Sequence, residues 1–304
     1  MLARVAENIY WMGRYLERAE NTARLVNVTT NLLLDQPGLG EEYGWNRLIT
    51  ISGCTVAYQQ SGRKLDERDG VQWLVTSGEN LSSLASSVVF ARENLRCMRA
   101  IFPLECWESI NDLSIFLRDR GEAGIASAAR TTFLGEVIRH CQTVVGILIG
   151  TLSRGPAFNF FRMGQHMERA DMCTRLLDIE PVVWQPGLGR DTLWLSLLRS
   201  VSGEHMYRHH VNPRINSVQV VSFLLKDRNF PRSFNYCLRE VERCLRILDN
   251  NALCEQVIKR TERSVENREI AGLLDEGPSL FMDDLQRELK YLHDLLAGIY
   301  FLKR

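Results

Sequence analysis

Residues 8–28 read NIYWMGRYLERAENTARLVNV, and residues 159–179 read NFFRMGQHMERADMCTRLLDI. Asn, Met-Gly, Glu-Arg-Ala and Arg-Leu occupy the same positions in both stretches, 151 residues apart in a chain of 304. In the first stretch, apolar residues recur every three or four positions, which is typical of an amphipathic helix. The repetition indicates an ancestral duplication, and it predicts two copies of one helical unit.

Shorter matches continue the repeat along the chain. The pentapeptide QPGLG at residues 36–40 recurs at residues 185–189, Trp45 matches Trp194, and Ser52-Gly53 matches Ser202-Gly203. The predicted copies are residues 1–154 and 155–304. Two copies favour a pseudo-two-fold bundle over a solenoid, because stacked arrays need about three repeats. No low-complexity linker interrupts the chain, so the copies are predicted to share one core in a single compact domain.

The chain is predicted to be all-α, an internally duplicated bundle of about ten to thirteen helices. The first helix should span about 30 residues and end before Pro37-Gly38. No stretch shows the sustained alternation of a strand, and each QPGLG segment is interpreted as a turn between helices. The other helices are predicted near residues 44–61, 70–78, 80–118, 122–153, 156–179, 191–209, 213–226, 231–249, 252–267 and 275–303.

Charge and cysteine content exclude some classes of protein. Lys+Arg and Asp+Glu number 37 each, so no net charge favours nucleic acid or anionic lipid as a partner. The eight cysteines include no C-x-x-C pair, which favours reduced thiols in the cytoplasm. The N-terminus lacks the apolar segment of a signal peptide, and the longest apolar run, residues 144–152, is too short to span a membrane. We expect a soluble, cytoplasmic protein without membrane contact.

Four residues of the repeated stretch fall on one side of its helix in both copies. Glu20 is the most informative of them, because it lies almost on the apolar face beside Ile9 and Leu16. A carboxylate there needs a partner, and the arginine four residues further on is predicted to supply it in each copy. The first stripe is Gly13, Glu17, Glu20 and Arg24, and the second stripe is Gly164, Glu168, Asp171 and Arg175.

The glycines of the motif predict a close approach to the helix backbone, and its outer arginines predict a contact on the opposite face. Glycine inside a helix costs about 1 kcal/mol relative to alanine. Gly13 and Gly164 are explained if another helix or a ligand approaches the backbone there. Arg18 and Arg169 point away from the apolar face, and their recurrence predicts that this back face contacts the partner copy or another protein.

Three interpretations of the stripes stay open. They form a structural ion-pair network between helices, or they line a polar groove between the copies that binds a substrate or partner. In the third, their carboxylates (Glu17, Glu20, Glu168 and Asp171) hold metal ions, as in di-metal carboxylate bundles. Neither copy has the Glu-x-x-His motif of such sites, and the arginines would compete with a cation. No metal and no cofactor is therefore predicted.

The motif ENIYWMGRYLERAENTARL at residues 7–25 resembles the opening signature of the alpha-E family. This family consists of uncharacterised bacterial helical proteins and takes its name from a Glu-Arg motif. FFRMGQHMERADMCTRLL at residues 160–177 resembles its second copy, and FARENLR at residues 90–96 resembles a further family helix. The similarity covers essentially the whole chain. In the second copy Arg162 and Gln165 replace Trp11 and Arg14, so its contacts are expected to differ from those of the first.

The resemblance implies a partner rather than an established activity. Members are usually encoded beside, or fused to, a circularly permuted ATP-grasp ligase, often with a transglutaminase-like protein and sometimes a proteasome-like peptidase. The chain is therefore expected to be a non-catalytic or accessory subunit in a peptide- or amide-bond-forming pathway, with homo-oligomers as a further option. The candidate groove or binding residues are Glu17, Arg18, Glu20, Arg24, Arg92, Glu93, Glu168, Arg169, Asp171 and Arg175.

A stand-alone enzyme is the main alternative, with Glu17 or Glu168 as the base of an acyl or amino transfer. Neighbouring arginines argue against it, because a cation favours the ionised carboxylate and makes it a poor base at neutral pH. His205 and His209 are four residues apart, a spacing that also occurs in metal-binding helices. They are interpreted as a polar helix end, with metal binding as the alternative.

Overall fold

The structure, a computed structural model, describes residues 1–36, 40–178 and 190–301. Over these residues the protein is all-helical, with fifteen helices and no strand, so the predicted fold class is confirmed. The helices are α1 (Ala3–Asp35), α2 (Glu41–Ile51), α3 (Thr55–Gln60), α4 (Glu67–Val75), α5 (Leu84–Arg96), α6 (Leu104–Gly124), α7 (Ser127–Thr151), α8 (Pro156–Leu177), α9 (Arg190–Ser200), α10 (Glu204–His210), α11 (Ser217–Lys226), α12 (Phe234–Leu245), α13 (Ala252–Asn267), α14 (Ile270–Glu276) and α15 (Ser279–Tyr300).

The chain forms two compact units. The first unit is Trp11–Phe158, and the second unit combines Asn159–Arg304 with Met1–Tyr10. Helix α1 therefore contributes its first residues to the second unit and its remainder to the first. The predicted copies, residues 1–154 and 155–304, stay a prediction, because compactness alone does not report how a chain arose.

In the first unit, long helices pack side by side. Helix α6 packs against α5 and α7, and α2 packs against α3 and α4. Full burial of one large aliphatic side chain contributes about 1.5–3 kcal/mol relative to exposure. Buried residues of this unit include Leu16, Trp45, Leu48, Tyr58, Trp73, Leu84, Ile110, Leu113, Val137 and Leu148.

The second unit has a similar order of neighbours. Helix α13 packs against α12 and α15, α11 packs against α12, and α9 packs against α10. Helix α8 is buried on almost every side, and α1 is buried at most positions between Met12 and Val26. The prediction of one buried apolar face on each of these helices was therefore too narrow, because residues on the other faces are buried as well. The polar residues of the motif are buried with the apolar ones, and periodicity cannot reveal burial of that kind.

Local hydrogen bonds recur at matching places in the two units. The Ser83 hydroxyl oxygen caps α5 by accepting from the Ser86 backbone N–H at 3.0 Å, and Ser233 caps α12 in the same way. The Tyr58 hydroxyl donates to the Lys64 carbonyl, and the Tyr207 hydroxyl donates to the Arg214 carbonyl. Serine is a favoured N-cap because its oxygen satisfies a backbone N–H of the first helical turn.

The predicted number of about ten to thirteen helices was too low. The predicted helix 44–61 is divided at Gly53, which has a φ of 70°, and the helix 191–209 is divided at Ser202, with a φ of 54°. A left-handed residue cannot continue a right-handed helix. These two residues are 149 positions apart, so Gly53 corresponds in geometry to Ser202 and not to the matched Gly203.

Two other predicted helices have different bounds in the structure. The predicted helix 80–118 is divided into α5 and α6, and Pro103 stands at the N-cap of α6, where proline needs no backbone N–H. The QPGLG turns lie largely outside the described residues, which omit 37–39 and 179–189. The end of the helix predicted at 275–303 also lies partly beyond them, and an additional helix, α14, precedes α15.

One described helix, α7, is long and apolar enough to cross a membrane when judged by length and composition alone. About a third of its most apolar stretch is buried inside the protein. Its buried residues include Phe133, Val137, Val144 and Leu148, at the three- and four-residue spacing of a packed helix. A single such helix is weak evidence for a membrane span, because core helices of other proteins pass the same test.

Candidate functional site

The first stripe contains the predicted ion pair. Arg24 donates from Nε and Nη2 to Oε1 of Glu20, at 3.0 and 2.7 Å. The Gln142 side-chain amide on α7 lies 3.5 Å from the same oxygen. Glu17 and Glu20 are only 0% and 3% exposed, so both carboxylates lie inside the protein. The prediction that Glu20 is buried and partnered by Arg24 is confirmed.

The charges of the first stripe affect the pKa of the Cys141 thiol on α7. Burial raises the pKa of its thiol well above the ordinary value, and the nearby carboxylates of Glu20 and Glu17 raise it further. Arg24 acts in the opposite direction but does not reverse the shift. The thiol is therefore protonated at neutral pH and is not an activated nucleophile.

The second stripe contains the corresponding ion pair, and its side chains are more exposed to solvent. Arg175 donates from Nε to Oδ2 of Asp171 at 2.9 Å. The Asp171 side chain is 22% exposed and that of Arg175 is 32% exposed, whereas Glu168 is buried. The predicted Asp171–Arg175 partnership is confirmed. Its greater exposure implies a smaller contribution to stability than that of the buried pair in the first stripe.

Gly164 lies where the backbones of two helices meet. A Cβ atom added to it would stand 1.9 Å from the Tyr10 carbonyl oxygen and 2.9 Å from the carbonyl carbon. Non-bonded carbon and oxygen atoms do not approach so closely. Only glycine therefore fits here without a shift of the backbone. The prediction that a helix approaches the backbone at Gly164 is confirmed.

The back-face arginines are also in contact with the protein. The Arg18 guanidinium lies over the Tyr15 ring, 5.7 Å from its centroid. Arg169 donates from Nη1 to the Pro231 carbonyl oxygen at 3.4 Å. Each contact lies within one unit, and the predicted contact of this face with the partner copy or another protein stays a prediction.

Corresponding positions of the two units carry different chemistry. In the first unit, Tyr15 packs against Trp11 and Phe90, with ring centroids 5.5 and 5.2 Å apart. In the second unit, Arg162 donates to Gln165 at 2.7 Å and to Glu240 at 3.3 Å. The expectation that the second copy does not duplicate the first copy's contacts is confirmed.

His166 replaces the tyrosine of the first unit and is completely buried. Its ring lies 5.8 Å from that of Tyr236, and neither ring nitrogen has a hydrogen-bond partner among the described residues. Burial lowers the pKa of this imidazole well below its ordinary value, and the charges of three arginines (Arg162, Arg169 and Arg232) lower it further. The ring is therefore neutral at pH 7.

This burial predicts a dependence of stability on pH. Since the folded-state pKa of His166 lies below the unfolded value near 6.5, the unfolded chain binds the extra proton as the pH falls. The free energy of unfolding should therefore decrease below about pH 6.5, by up to about 1.4 kcal/mol per pH unit. Urea unfolding between weakly acidic and neutral pH measures this slope.

His166→Phe should remove that slope and leave the stability at neutral pH equal or higher, because it replaces unsatisfied polar atoms by an apolar ring. The matched control is His209→Gln, which changes an exposed imidazole. An unchanged slope in His166→Phe would show that other groups cause the acid sensitivity.

Arg92 and Glu93 lie on the surface of α5 rather than in the stripes. Arg92 donates from Nε to the side-chain oxygen of Asn111 on α6, at 2.7 Å, and binds Glu93. Its guanidinium also lies over the Trp107 ring, 5.2 Å from the centroid. No described contact joins Arg92 or Glu93 to the first stripe, so the predicted residues form separate clusters.

The described residues contain no group of three or more His, Cys, Asp or Glu side chains that could hold a metal ion. His205 and His209 are exposed on α10, with parallel rings 6.3 Å apart. Burial alone would raise the pKa of the adjacent Glu204, but hydrogen bonds from Arg199 and Arg208 outweigh it and lower the pKa. This carboxylate is thus engaged by arginines.

Sequence reasoning missed the contribution of α7 to the first stripe. Gln142 and Cys141 lie more than 110 residues from Glu20 along the chain, and neither belongs to a recognisable motif. Only long-range packing brings them to the carboxylate. Trp107 was named in no candidate site, although a tryptophan close to an arginine-rich helix is a usable signal of an interface.

Comparison with known families identifies the chain. The sequence profile of the Alpha-E family, described as a predicted alpha-helical domain with a conserved ER motif, matches residues 1–301. The chain belongs to the Alpha-E family. The resemblance noted from the repeated motif is therefore confirmed, and Glu17-Arg18 of this Alpha-E chain agrees with the described ER motif.

Similar proteins occur in mycobacteria. An uncharacterized protein of Mycobacterium bovis and one of Mycobacterium tuberculosis strain CDC 1551 are each 24% identical to this Alpha-E chain over 317 residues. A further one from Mycobacterium tuberculosis strain H37Rv is 23% identical. Each match covers 98% of the chain but 35% of the relative, so the chain spans about a third of their length. No solved structure matches the chain.

Proposed function

We propose that this Alpha-E chain is an accessory helical subunit that works with an ATP-grasp-type ligase in a peptide- or amide-bond-forming pathway. The observation that carries the non-catalytic role is the state of the recurring carboxylates. Glu20 accepts two hydrogen bonds from Arg24, and Asp171 accepts one from Arg175. A carboxylate engaged by an arginine in this way is poorly placed to take a proton from a substrate.

Burial supports the same conclusion for the Glu-Arg motif itself. A general base must reach the proton that it removes, within hydrogen-bond distance of a bound substrate. Glu17 is completely buried, and Glu168 is only 3% exposed. The stripes are accordingly structural elements that fix the positions of α1 and α8, and partner-binding surfaces lie elsewhere on the molecule.

Internal duplication is part of the proposal. Support comes from the recurrence of local geometry along the chain: the serine caps of α5 and α12, the tyrosine hydroxyl bonds after α3 and α10, and the left-handed residues Gly53 and Ser202. After a duplication, the two copies can diverge in sequence. This accounts for the occurrence of Arg162 and His166 at the positions that correspond to Trp11 and Tyr15.

Partnership with a ligase is supported by the family resemblance and by the length of the relatives. About two thirds of each mycobacterial relative lies outside the region matched by this chain. The Alpha-E region is therefore a module that also occurs within longer proteins. An accessory module of this kind would position a substrate or dock on the protein that carries the nucleotide chemistry.

Affinity purification from the native cell tests the partnership. We expect an ATP-grasp ligase to co-purify in near-equal amounts, identified by mass spectrometry. Calorimetry should detect ATP binding by the complex and none by the isolated chain. ATP hydrolysis by the isolated chain, at a rate that survives further purification, would contradict the accessory role.

The alternative of a stand-alone transferase is tested by two isosteric changes, Glu17→Gln and Glu168→Gln. If the stripes are structural, both variants lose stability together with any pathway activity. An enzyme would instead lose its activity while its unfolding midpoint stays close to that of the wild type. Elemental analysis of protein purified without chelators tests the carboxylate-metal alternative, which requires bound iron or manganese.

A further inference from the structure

Two arginines converge on one tryptophan at the surface of the first unit. The guanidinium of Arg92 on α5 and that of Arg99 in the α5–α6 connection lie 5.2 and 4.6 Å from the Trp107 ring centroid. The indole is half-buried, and Arg99 is exposed. Arginine and tryptophan are the residues most enriched at energetically dominant positions of protein interfaces.

The charges of this cluster are not balanced locally. Glu93 binds both Arg92 and Arg96, at 3.0 and 2.7 Å, so one carboxylate serves two cations. Arg99 forms no ion pair with any residue that the structure describes. Two further acids, Glu105 and Glu108, form no ion pair with these arginines among the described residues.

An apolar groove continues from the cluster along the same two helices. Val89 on α5 and Ile115 on α6 are 50% and 46% exposed. Val89 is three residues before Arg92, and Ile115 is four residues after Asn111, which Arg92 contacts. Beside them is a cavity of about 340 Å³. Its lining is mostly apolar or small, and it includes one cation and one carboxylate: Thr76, Ala85, Val88, Val89, Ser114, Leu117, Arg118, Gly121 and Glu122.

We propose that this surface, the α5–α6 face, docks an amphipathic acidic segment of a partner protein. Aliphatic side chains of the segment occupy the groove at Val89 and Ile115, and its carboxylates bind the outer edges of Arg96 and Arg99. The proposal rests on the accessory role proposed above and names the surface and the chemistry through which that role is exercised. Charge complementarity selects the occupant, because the arginine end lacks the carboxylates that would balance it.

A protein segment fits this face better than a nucleic acid. The net charge of the whole chain is zero, and the Glu93 carboxylate beside Arg92 and Arg96 would repel a continuous phosphate backbone. A nucleic acid also has no aliphatic groups to fill the groove at Val89. Single-stranded DNA is therefore the appropriate competing ligand in a test.

Fluorescence anisotropy with the full-length chain tests the proposal. The probe is a labelled synthetic helix with Leu and Ala along one face and Glu residues at one end. The comparison probes are the same peptide with Gln in place of Glu, and an oligothymidine. We expect the Glu peptide to bind about tenfold more tightly than the Gln peptide, with an affinity that falls as salt is added.

Variants of the face supply the second arm. Arg96→Glu/Arg99→Glu and, separately, Val89→Glu should each weaken binding of the Glu peptide about tenfold. The matched control is Arg287→Glu/Lys290→Glu, which makes the same charge change on exposed residues of α15. It should leave the affinity unchanged.

Several results would overturn the proposal: equal affinities for the Glu and Gln peptides, tighter binding of oligothymidine, equal weakening by the α15 control, or no peptide binding tighter than about 1 mM. Co-purification of the ligase with the wild-type chain is scored separately. Its failure would contradict the ligase partnership and leave the peptide measurements standing, so the two proposals fail independently.

Discussion

Gly164→Ala is expected to destabilise the folded protein by about 3 kcal/mol. The added Cβ would meet the Tyr10 carbonyl oxygen at 1.9 Å, and this oxygen belongs to the backbone of α1 and cannot rotate away. Relief requires that α1 and α8 move apart, which opens gaps in their packing. Urea unfolding followed by circular dichroism measures the change.

Gly146→Ala is the matched control for this substitution. Gly146 is an exposed position within α7, and a Cβ added there would meet nothing within 4 Å. Alanine should therefore stabilise the protein by about 1 kcal/mol through its higher helix propensity. Similar effects of the two substitutions would contradict the close approach of α1 to Gly164.

Arg24→Ala is expected to cost about 3 kcal/mol, whereas the corresponding change Arg175→Ala should cost about 1 kcal/mol. The reason is the burial of the carboxylate that each arginine binds. The Glu20 side chain is 4% exposed, and that of Asp171 is 22% exposed. Water can solvate Asp171 when its arginine is removed, but it reaches Glu20 poorly.

Denaturant unfolding of both variants tests this difference. The double variant Glu20→Leu/Arg24→Met provides a further check, because replacing a buried ion pair by apolar side chains of similar size is often neutral. It should recover most of the stability lost in Arg24→Ala. Equal losses in Arg24→Ala and Arg175→Ala would show that burial of the carboxylate does not govern the energy of these pairs.

The ion pairs of the stripes were predictable because their spacing is local. Residues four apart lie on the same side of a helix, so Glu20 and Arg24 meet wherever α1 forms. The division between α5 and α6 also had a visible signal in Pro103. By contrast, no sequence pattern predicted that Ser202 would adopt a left-handed conformation and divide α9 from α10.

The lowered pKa of His166 comes first from its burial, which tertiary packing decides, although two of the arginines that lower it further, Arg162 and Arg169, lie within four residues in the sequence. Its counterpart Tyr15 packs between aromatic rings, and the same position in the second unit is enclosed without a hydrogen-bond partner for either nitrogen. The arginine cluster around Trp107 has the same origin, since Arg92 and Trp107 lie on different helices and meet only because α5 packs against α6.

By itself the sequence determined the all-helical class, the recurrence of the Glu-Arg motif and the pairing of each acid with the arginine one turn away. These properties depend on the 3.6-residue period of one helix, which any stretch of sequence displays directly. Tertiary structure alone decided which acids are buried, which backbone faces Gly164, and which residues of α7 reach Glu20. Those properties depend on contacts between residues far apart in the chain, and such contacts are set by the packing of whole helices rather than by local pattern.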